Sequence, residues 1–178
     1  MPDQPLPAGT FEDLALPLFD QLYNFARWLA QDTSEAEDLV QETYAKALRG
    51  FAGFQLGTNF RAWMFRILRN TFLTSRTGLK SKVEMDEDEL ESLASPGPTP
   101  EAILVEQANR QAVQEALTEL PVPAREILLL CDVEEMSYEE IAQVLAIPIG
   151  TVMSRLYRAR KALRGRLVEK FKGGPNGV

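Results

Sequence analysis

Histidine is absent from this 178-residue sequence, and cysteine occurs once, at Cys131. The first absence removes the commonest general base and the commonest metal ligand. The second excludes an intramolecular disulfide and a cysteine-built zinc site within one chain. No apolar run approaches the roughly 18–20 residues that span a bilayer. The opening stretch MPDQPLPAGTFED has neither a basic start nor a hydrophobic core, so export and membrane contact are not expected, and a cytoplasmic location is. A glycine-rich phosphate loop, a nucleophile–base pair and an internal repeat are missing as well. An enzyme is therefore not expected, and neither is a cofactor or a bound metal. What remains, with 45% hydrophobic residues, is a globular chain long enough for one medium domain or two small ones.

Acids outnumber bases, for a net charge of −7, but the two signs are segregated. Residues 51–82 carry six bases and no acid, and 148–178 carry eight bases against Glu169 alone. The acids gather elsewhere: nine against three bases in 1–50, seven against none in 83–101, and nine against two in 102–147. Two basic blocks inside an acidic protein point to a polyanion partner, because local field rather than net charge decides such binding.

The second basic block closes the segment Ser137–Arg166, SYEEIAQVLAIPIGTVMSRLYRARKALRGR. Ser137 with Glu140 makes a capping box, and Tyr138, Ile141, Ala142 and Leu145 recur at helical spacing. The stretch Ala146–Gly150 is expected to break that helix, since Pro148 lacks an N–H and disfavours helical geometry at Ile147. Thr151 is expected to cap a second helix with Val152, Leu156, Ala159 and Leu163 on one stripe. Opposite lie Ser154, Tyr157, Arg158 and Lys161, flanked by Arg155 and Arg160. A helical hairpin with a solvated charged face is the plainer reading. The capped first helix, the short break and the polar start of the second favour a helix-turn-helix reader of the major groove.

Toward the N-terminus, Thr10 and Asp13 start a short turn ahead of Pro17, which suits the first turn of a helix. Leu18, Leu22, Phe25, Ala26 and Leu29 carry that helix to about Gln31. Asp32-Thr33-Ser34 then breaks and caps. A second helix buries Leu39, Val40, Thr43, Tyr44, Ala47 and Leu48, and turns Asp38, Gln41, Glu42 and Lys46 outward, ending near Gly50 and Gly53. After the loop Phe54–Asn59 comes FRAWMFRILRNTFLTSR, in which Phe60, Trp63, Met64, Ile67, Leu68 and Thr71 form a core stripe. Arg66, Arg69 and Arg76 project from the other face, with Arg61 and Asn70 at its margins. Phe65 lies among these arginines, a pattern suited to single-stranded nucleic acid, where bases stack and cations follow phosphates.

Residues 77–100 read as a flexible acidic linker ending in SPGPTP. The acidic run within it lacks the glycine turn of a calcium loop. Ala102–Leu120 is amphipathic, Pro121 and Pro123 break it, and a helix follows from Ala124 to about Asp132. Its apolar run Ile127–Cys131 makes Cys131 an expected buried, unreactive residue. The fold class is thus all-α: two small helical domains, 10–76 and 101–172, joined by the linker.

In order along the chain, SEAEDLVQETYAKAL, FRAWMFRILRNTFLTSR and LPVPAREILLLCDVEEMSYEEIAQVLAIPIGTVMSRLYRARKALR resemble the extracytoplasmic-function (ECF) sigma factors, initiation subunits of bacterial RNA polymerase. The resemblance runs from about Phe11 to Leu167, and its GTVMSRLYRARKAL portion is the most specific. It implies that Asp38, Gln41 and Glu42 dock on the clamp of core polymerase; the residues alone favour a solvated face. It implies a −10 pocket around Phe54, Thr58 and Asn59, with Asn59 reading an extruded base. Arg61, Phe65, Arg66, Arg69, Asn70 and Arg76 would then hold the melted strand. It implies −35 recognition by Thr151, Ser154, Arg155 and Arg158, with Lys161 and Arg164 on phosphates. Tyr157 either touches DNA or packs on the preceding helix.

The function so implied is promoter selection on behalf of core polymerase, with promoter DNA as the second partner and an anti-sigma factor as the controlling one. The acidic linker would cross near the polymerase's basic active-site channel. No obligate homo-oligomer is expected. The alternative is a stand-alone helix-turn-helix regulator, commonly a symmetric dimer, which leaves the arginine–aromatic helix at 60–76 without a task.

Overall fold

Thr10 accepts a hydrogen bond from the Asp13 amide at 3.3 Å, which caps α1 (Phe11–Ala15). The structure, a computed structural model, describes residues 10–77 and 110–172, so the linker and residues 101–109, where the next amphipathic helix was expected to begin, lie outside it. Among the described residues every regular element is helical. The chain divides into two compact units.

In the first unit a 3₁₀ turn at Leu16–Leu18, with Pro17 in its first positions, leads into α2 (Phe19–Ala30). Gln31 ends α2 in the left-handed region (φ 58°), the usual way to close a helix. Asp32 Oδ1 accepts from the Glu35 amide at 2.8 Å and so starts α3 (Thr33–Gly50). After a 3₁₀ turn at Phe51–Gly53, the Asn59 side-chain oxygen accepts from the Ala62 amide at 2.9 Å at the start of α4 (Phe60–Thr77). Helices α2, α3 and α4 pack on one another. Leu22, Phe25 and Leu29 of α2, Leu39, Val40 and Thr43 of α3, and Met64, Phe65, Leu68 and Phe72 of α4 are all buried. The buried Thr43 hydroxyl donates to the Leu39 carbonyl at 2.7 Å, so its burial leaves no polar group unpaired.

Two expectations about these helices need correction. Phe65 does not sit at a polar edge: it is fully buried, with its ring 5.3 Å from Phe25. Because α4 meets both α2 and α3, its apolar arc is wider than one stripe. That arc turns toward Phe65 and Phe72 and leaves Trp63 and Ile67 half-buried. Leu48 is the opposite case, 57% exposed, while Ala36 and Ala47 fill the α3 interface.

From residue 110 on come α5 (Arg110–Glu119) and α6 (Val122–Leu128), a π turn at Leu129–Val133, then α7 (Tyr138–Leu145) and α8 (Ile149–Lys172); Glu140–Ala146 group with the first unit and the rest form the second. Pro123 falls in the first turn of α6, where the missing N–H has no partner to lose, so that helix starts two residues earlier than expected. Pro148 acts in the same way before α8. Its carbonyl accepts from the Thr151 and Val152 amides at 3.0 and 3.1 Å, and the helix begins at Ile149. Thr151 is therefore inside the first turn rather than its cap. Ala146 closes α7 with φ 55°, the left-handed conformation that glycine adopts without penalty.

Val152, Leu156, Ala159 and Leu163 are buried on α8, as the stripe predicts, together with Ala162 and Leu167. α8 packs on α5 and α6. Lys170 reaches Glu119 at 2.7 Å and Glu115 at 3.3 Å, which ties its last turns to α5. Cys131 is half-buried rather than buried. Burial pushes its thiol above the ordinary value, the Asp132 charge adds to this, and Arg160 offsets part of it.

Candidate nucleic-acid and partner interfaces

At the start of α4 the chain folds an aromatic cluster around a shallow concavity. The Phe54 ring centroid lies 4.8 Å from Trp63 and 5.3 Å from Phe60, and Phe51 and Phe11 complete the group. Gly57 turns the loop with φ 94°, a geometry that any side chain would strain. The Thr58 hydroxyl donates to the Gln55 carbonyl at 2.7 Å and fixes the same turn. Phe54, Thr58, Asn59, Ala62, Trp63 and Arg66 are among the residues that line the concavity. The amide oxygen of Asn59 is committed to the helix cap and its Nδ2 donates to Glu140 Oε1 at 2.8 Å, so a base could be read only through the remaining Nδ2 hydrogen.

The remaining members of the predicted −10 set are not brought to this concavity. Phe65 is buried and offers no face to a base. Arg61 Nε donates to Gln21 Oε1 at 2.9 Å, and its guanidinium lies 5.5 Å from the Phe65 ring centroid, so it braces α4 against α2. Arg76 pairs with Glu35 at 3.2 Å, donates to the Ala30 carbonyl, and covers the Phe72 ring at 5.2 Å. Arg69 is half-buried and Asn70 exposed. Trp63, read from the sequence as core, is the aromatic side chain on this concavity that the pattern missed. Its adjacency to the Phe54 loop was the available signal.

On α3 the side chains of Asp38, Gln41 and Glu42 are all exposed on one face. Glu42 pairs with Lys46 at 3.3 Å, one helical turn on. The same outward surface continues through Arg49 and the exposed Leu48. Behind α3, the Tyr44 hydroxyl donates to the Ala15 carbonyl at 2.6 Å, and burial, with help from the Asp20 charge, lifts its pKa to about 12.

On α8, Thr151, Ser154, Arg155, Arg158, Lys161 and Arg164 are all half-buried at the surface. The Ser154 hydroxyl donates back to the Thr151 carbonyl at 3.1 Å. Tyr157 is 67% exposed, which settles its direction: it points away from the packed face, with Lys161 Nζ 5.8 Å from its ring centroid. Arg160 turns the other way. It meets Asp132 at 3.1 Å and Cys131 Sγ at 3.4 Å. Burial alone would lower its pKa; the hydrogen bond and charge of Asp132 outweigh this and hold it above the ordinary value. Met153 and Ile149, exposed beside Tyr157, did not stand out from the sequence.

Among the described residues no group of three or more acidic, cysteine or histidine side chains could hold a metal, and no helix is long and apolar enough to cross a membrane. The arrangement can bind and position.

Residues 17–81 match the family model for sigma-70 region 2, and residues 110–163 that for sigma-70 region 4. The chain is 36% identical over 160 residues to the ECF RNA polymerase sigma factor EcfG of Rhodopseudomonas palustris, covering 89% of this chain and 85% of that one. It is 35% identical over 162 residues to the ECF RNA polymerase sigma factor SigE of Mycolicibacterium smegmatis, covering 90% of this chain but only 62% of that one. Among solved structures, the sigma factor RpoE of Bartonella quintana, crystallised with the anti-sigma factor NepR, is similar with a TM-score of 0.67 and 30% identity. That similarity covers 89% of this chain and 96% of the other.

Proposed function

The chain belongs to the ECF sigma factors of bacterial RNA polymerase, and from that premise we propose that it binds core polymerase and directs initiation at promoters carrying its own −10 and −35 elements. The exposed α3 face with Asp38, Gln41 and Glu42 docks on the polymerase. The concavity at the start of α4 takes an unstacked −10 base against the outer side of the Trp63–Phe54 pair, with Asn59 donating and Arg66 at the strand. The cationic face of α8 lies in the major groove of the −35 element, where arginine forks suit guanine and phosphate alike. The tether between the two units, residues 77–100 in this reading, crosses the polymerase. Bond formation belongs to the polymerase, and the chain works where that enzyme does, in the cytoplasm.

Control by an anti-sigma factor follows from the relative of known structure, which was crystallised with one. The single observation that carries the reading is the presence, in order, of a region 2 unit with an aromatic-lined concavity and a region 4 unit with an outward cationic helix. A stand-alone regulator leaves the first of these, and residues 17–81, unexplained. In-vitro transcription with core polymerase over a random promoter pool tests the proposal: a defined −10 and −35 pair should be recovered. Strong duplex binding without polymerase, and no initiation with it, would sink the proposal. Asp38→Arg should impair association with core polymerase while leaving the unfolding midpoint unchanged; normal association would remove the α3 face from the docking surface.

A further inference from the structure

The outward side of α8 is not purely cationic. Ile149, Met153 and Tyr157 are 42%, 54% and 67% exposed, and their spacing of four puts them in one line along the helix. Apolar side chains held in water along successive turns, edged by Arg158 and Lys161, call for a surface with apolar points beside anions. Gly150 adds an independent observation. It lies within the first turn of α8, outside the left-handed region, and a Cβ built on it would meet nothing within 4 Å. A glycine there weakens a helix without serving any turn or internal contact. Its bare backbone leaves room for close approach from outside the chain.

Duplex DNA offers that combination: the C5 methyl of thymine stands in the major groove between two phosphate strands. We infer that Met153, with Tyr157 beside it, reads thymine methyl groups in the −35 element, and that Gly150 lets the start of α8 come close enough to do so. The inference rests on the proposed −35 role of α8 and adds a specificity determinant to it. The cations set the register on the phosphates, and the apolar line distinguishes thymine from cytosine at the positions it touches.

The test uses the full chain with core polymerase on promoters recovered from the random pool. Each −35 thymine is replaced singly by deoxyuridine, which removes the methyl group and nothing else. At one or two positions the wild type should lose about fourfold in open-complex formation, the factor expected for one methyl-sized apolar contact. Met153→Ala should show a similar loss on the thymine promoter and little further loss with deoxyuridine. Gly150→Ala should stabilise the fold while weakening initiation. A −35 element without thymine on either strand, indifference of the wild type to every deoxyuridine, undiminished methyl sensitivity in Met153→Ala, or normal initiation by Gly150→Ala each overturns the inference. Footprinting separates the two levels. A protected −35 element with no methyl sensitivity removes this inference alone, whereas an unprotected one removes the −35 assignment beneath it.

Discussion

Helices α4 and α8 carry the two basic blocks of the chain, yet they place their side chains in opposite ways. On α4, Arg61 and Arg76 are drawn onto neighbouring helices, by Gln21 and Glu35, and the aromatics Phe65 and Phe72 are buried. On α8, Arg158, Lys161 and Arg164 lie along the surface, Tyr157 points outward, and Arg160 and Lys170 are turned back to carboxylates. A count of cations makes the two helices look alike. Packing makes α4 a core helix with one functional end, at Asn59–Arg66, and α8 a functional helix along much of its length.

The largest effect should come from exchanging the roles of two aromatics. Phe65→Ala opens a cavity in the first unit and should destabilise it by about 3–5 kcal/mol, read as a lowered denaturation midpoint of the full chain. Tyr157→Ala removes an exposed ring and should change stability by less than about 0.5 kcal/mol while lowering initiation. If Phe65→Ala folds normally and loses only −10 melting, the burial argument fails and the ring works on DNA after all. Next in size, Arg158→Ala should weaken promoter binding by the holoenzyme by about 1–3 kcal/mol if its fork meets a base. A uniform loss across promoter sequences would assign it to phosphate instead.

Much of this contrast was legible before the fold, but unevenly. The α8 stripe was readable because one helix face meets one packed side. Thr10 and Asp32 were readable as starts because a short oxygen side chain at that position satisfies otherwise unpaired amides. The α4 arc was not, since burial on two sides depends on where α2 and α3 arrive, and spacing within α4 says nothing of that. Leu48 errs in the other direction, as an apolar position past the edge of its neighbours. Arg76 was unreadable for a different reason: Glu35 lies 41 residues away in sequence. Pro148 was read as a breaker because its missing N–H was counted, and the acceptor capacity of its carbonyl was not.

Tyr44 sharpens the comparison from the inner side, as the half-buried counterpart of Tyr157. Its folded pKa, pushed up to about 12, stands above the ordinary tyrosine value of about 10. The unfolded chain therefore releases this proton first as pH rises. The stability it supports is fully present below pH 10 and is lost progressively as pH climbs toward about 12. Tyr44→Phe should remove that alkaline decline and, at neutral pH, forfeit about 0.5–1.5 kcal/mol for the hydrogen bond to Ala15. A spectrophotometric titration that loses no late-titrating tyrosine in the variant would put the hydroxyl in solvent.

The smallest expected change is the most discriminating for α4. Arg76 is half-exposed and its ion pair with Glu35 joins two partly exposed side chains, at 50% and 39%. Such a pair is worth about 0–1 kcal/mol and weakens with salt. Arg76→Ala should therefore lower the unfolding midpoint slightly, the more so at low ionic strength, and Glu35→Gln should do nearly the same. Initiation should change little in either variant, because the guanidinium is held by Glu35 and the Ala30 carbonyl rather than turned to a strand. If Arg76→Ala instead lowers open-complex formation severalfold while Glu35→Gln does not, the arginine leaves its intramolecular partners when DNA arrives. The two basic helices would then differ in the free protein and converge on the promoter.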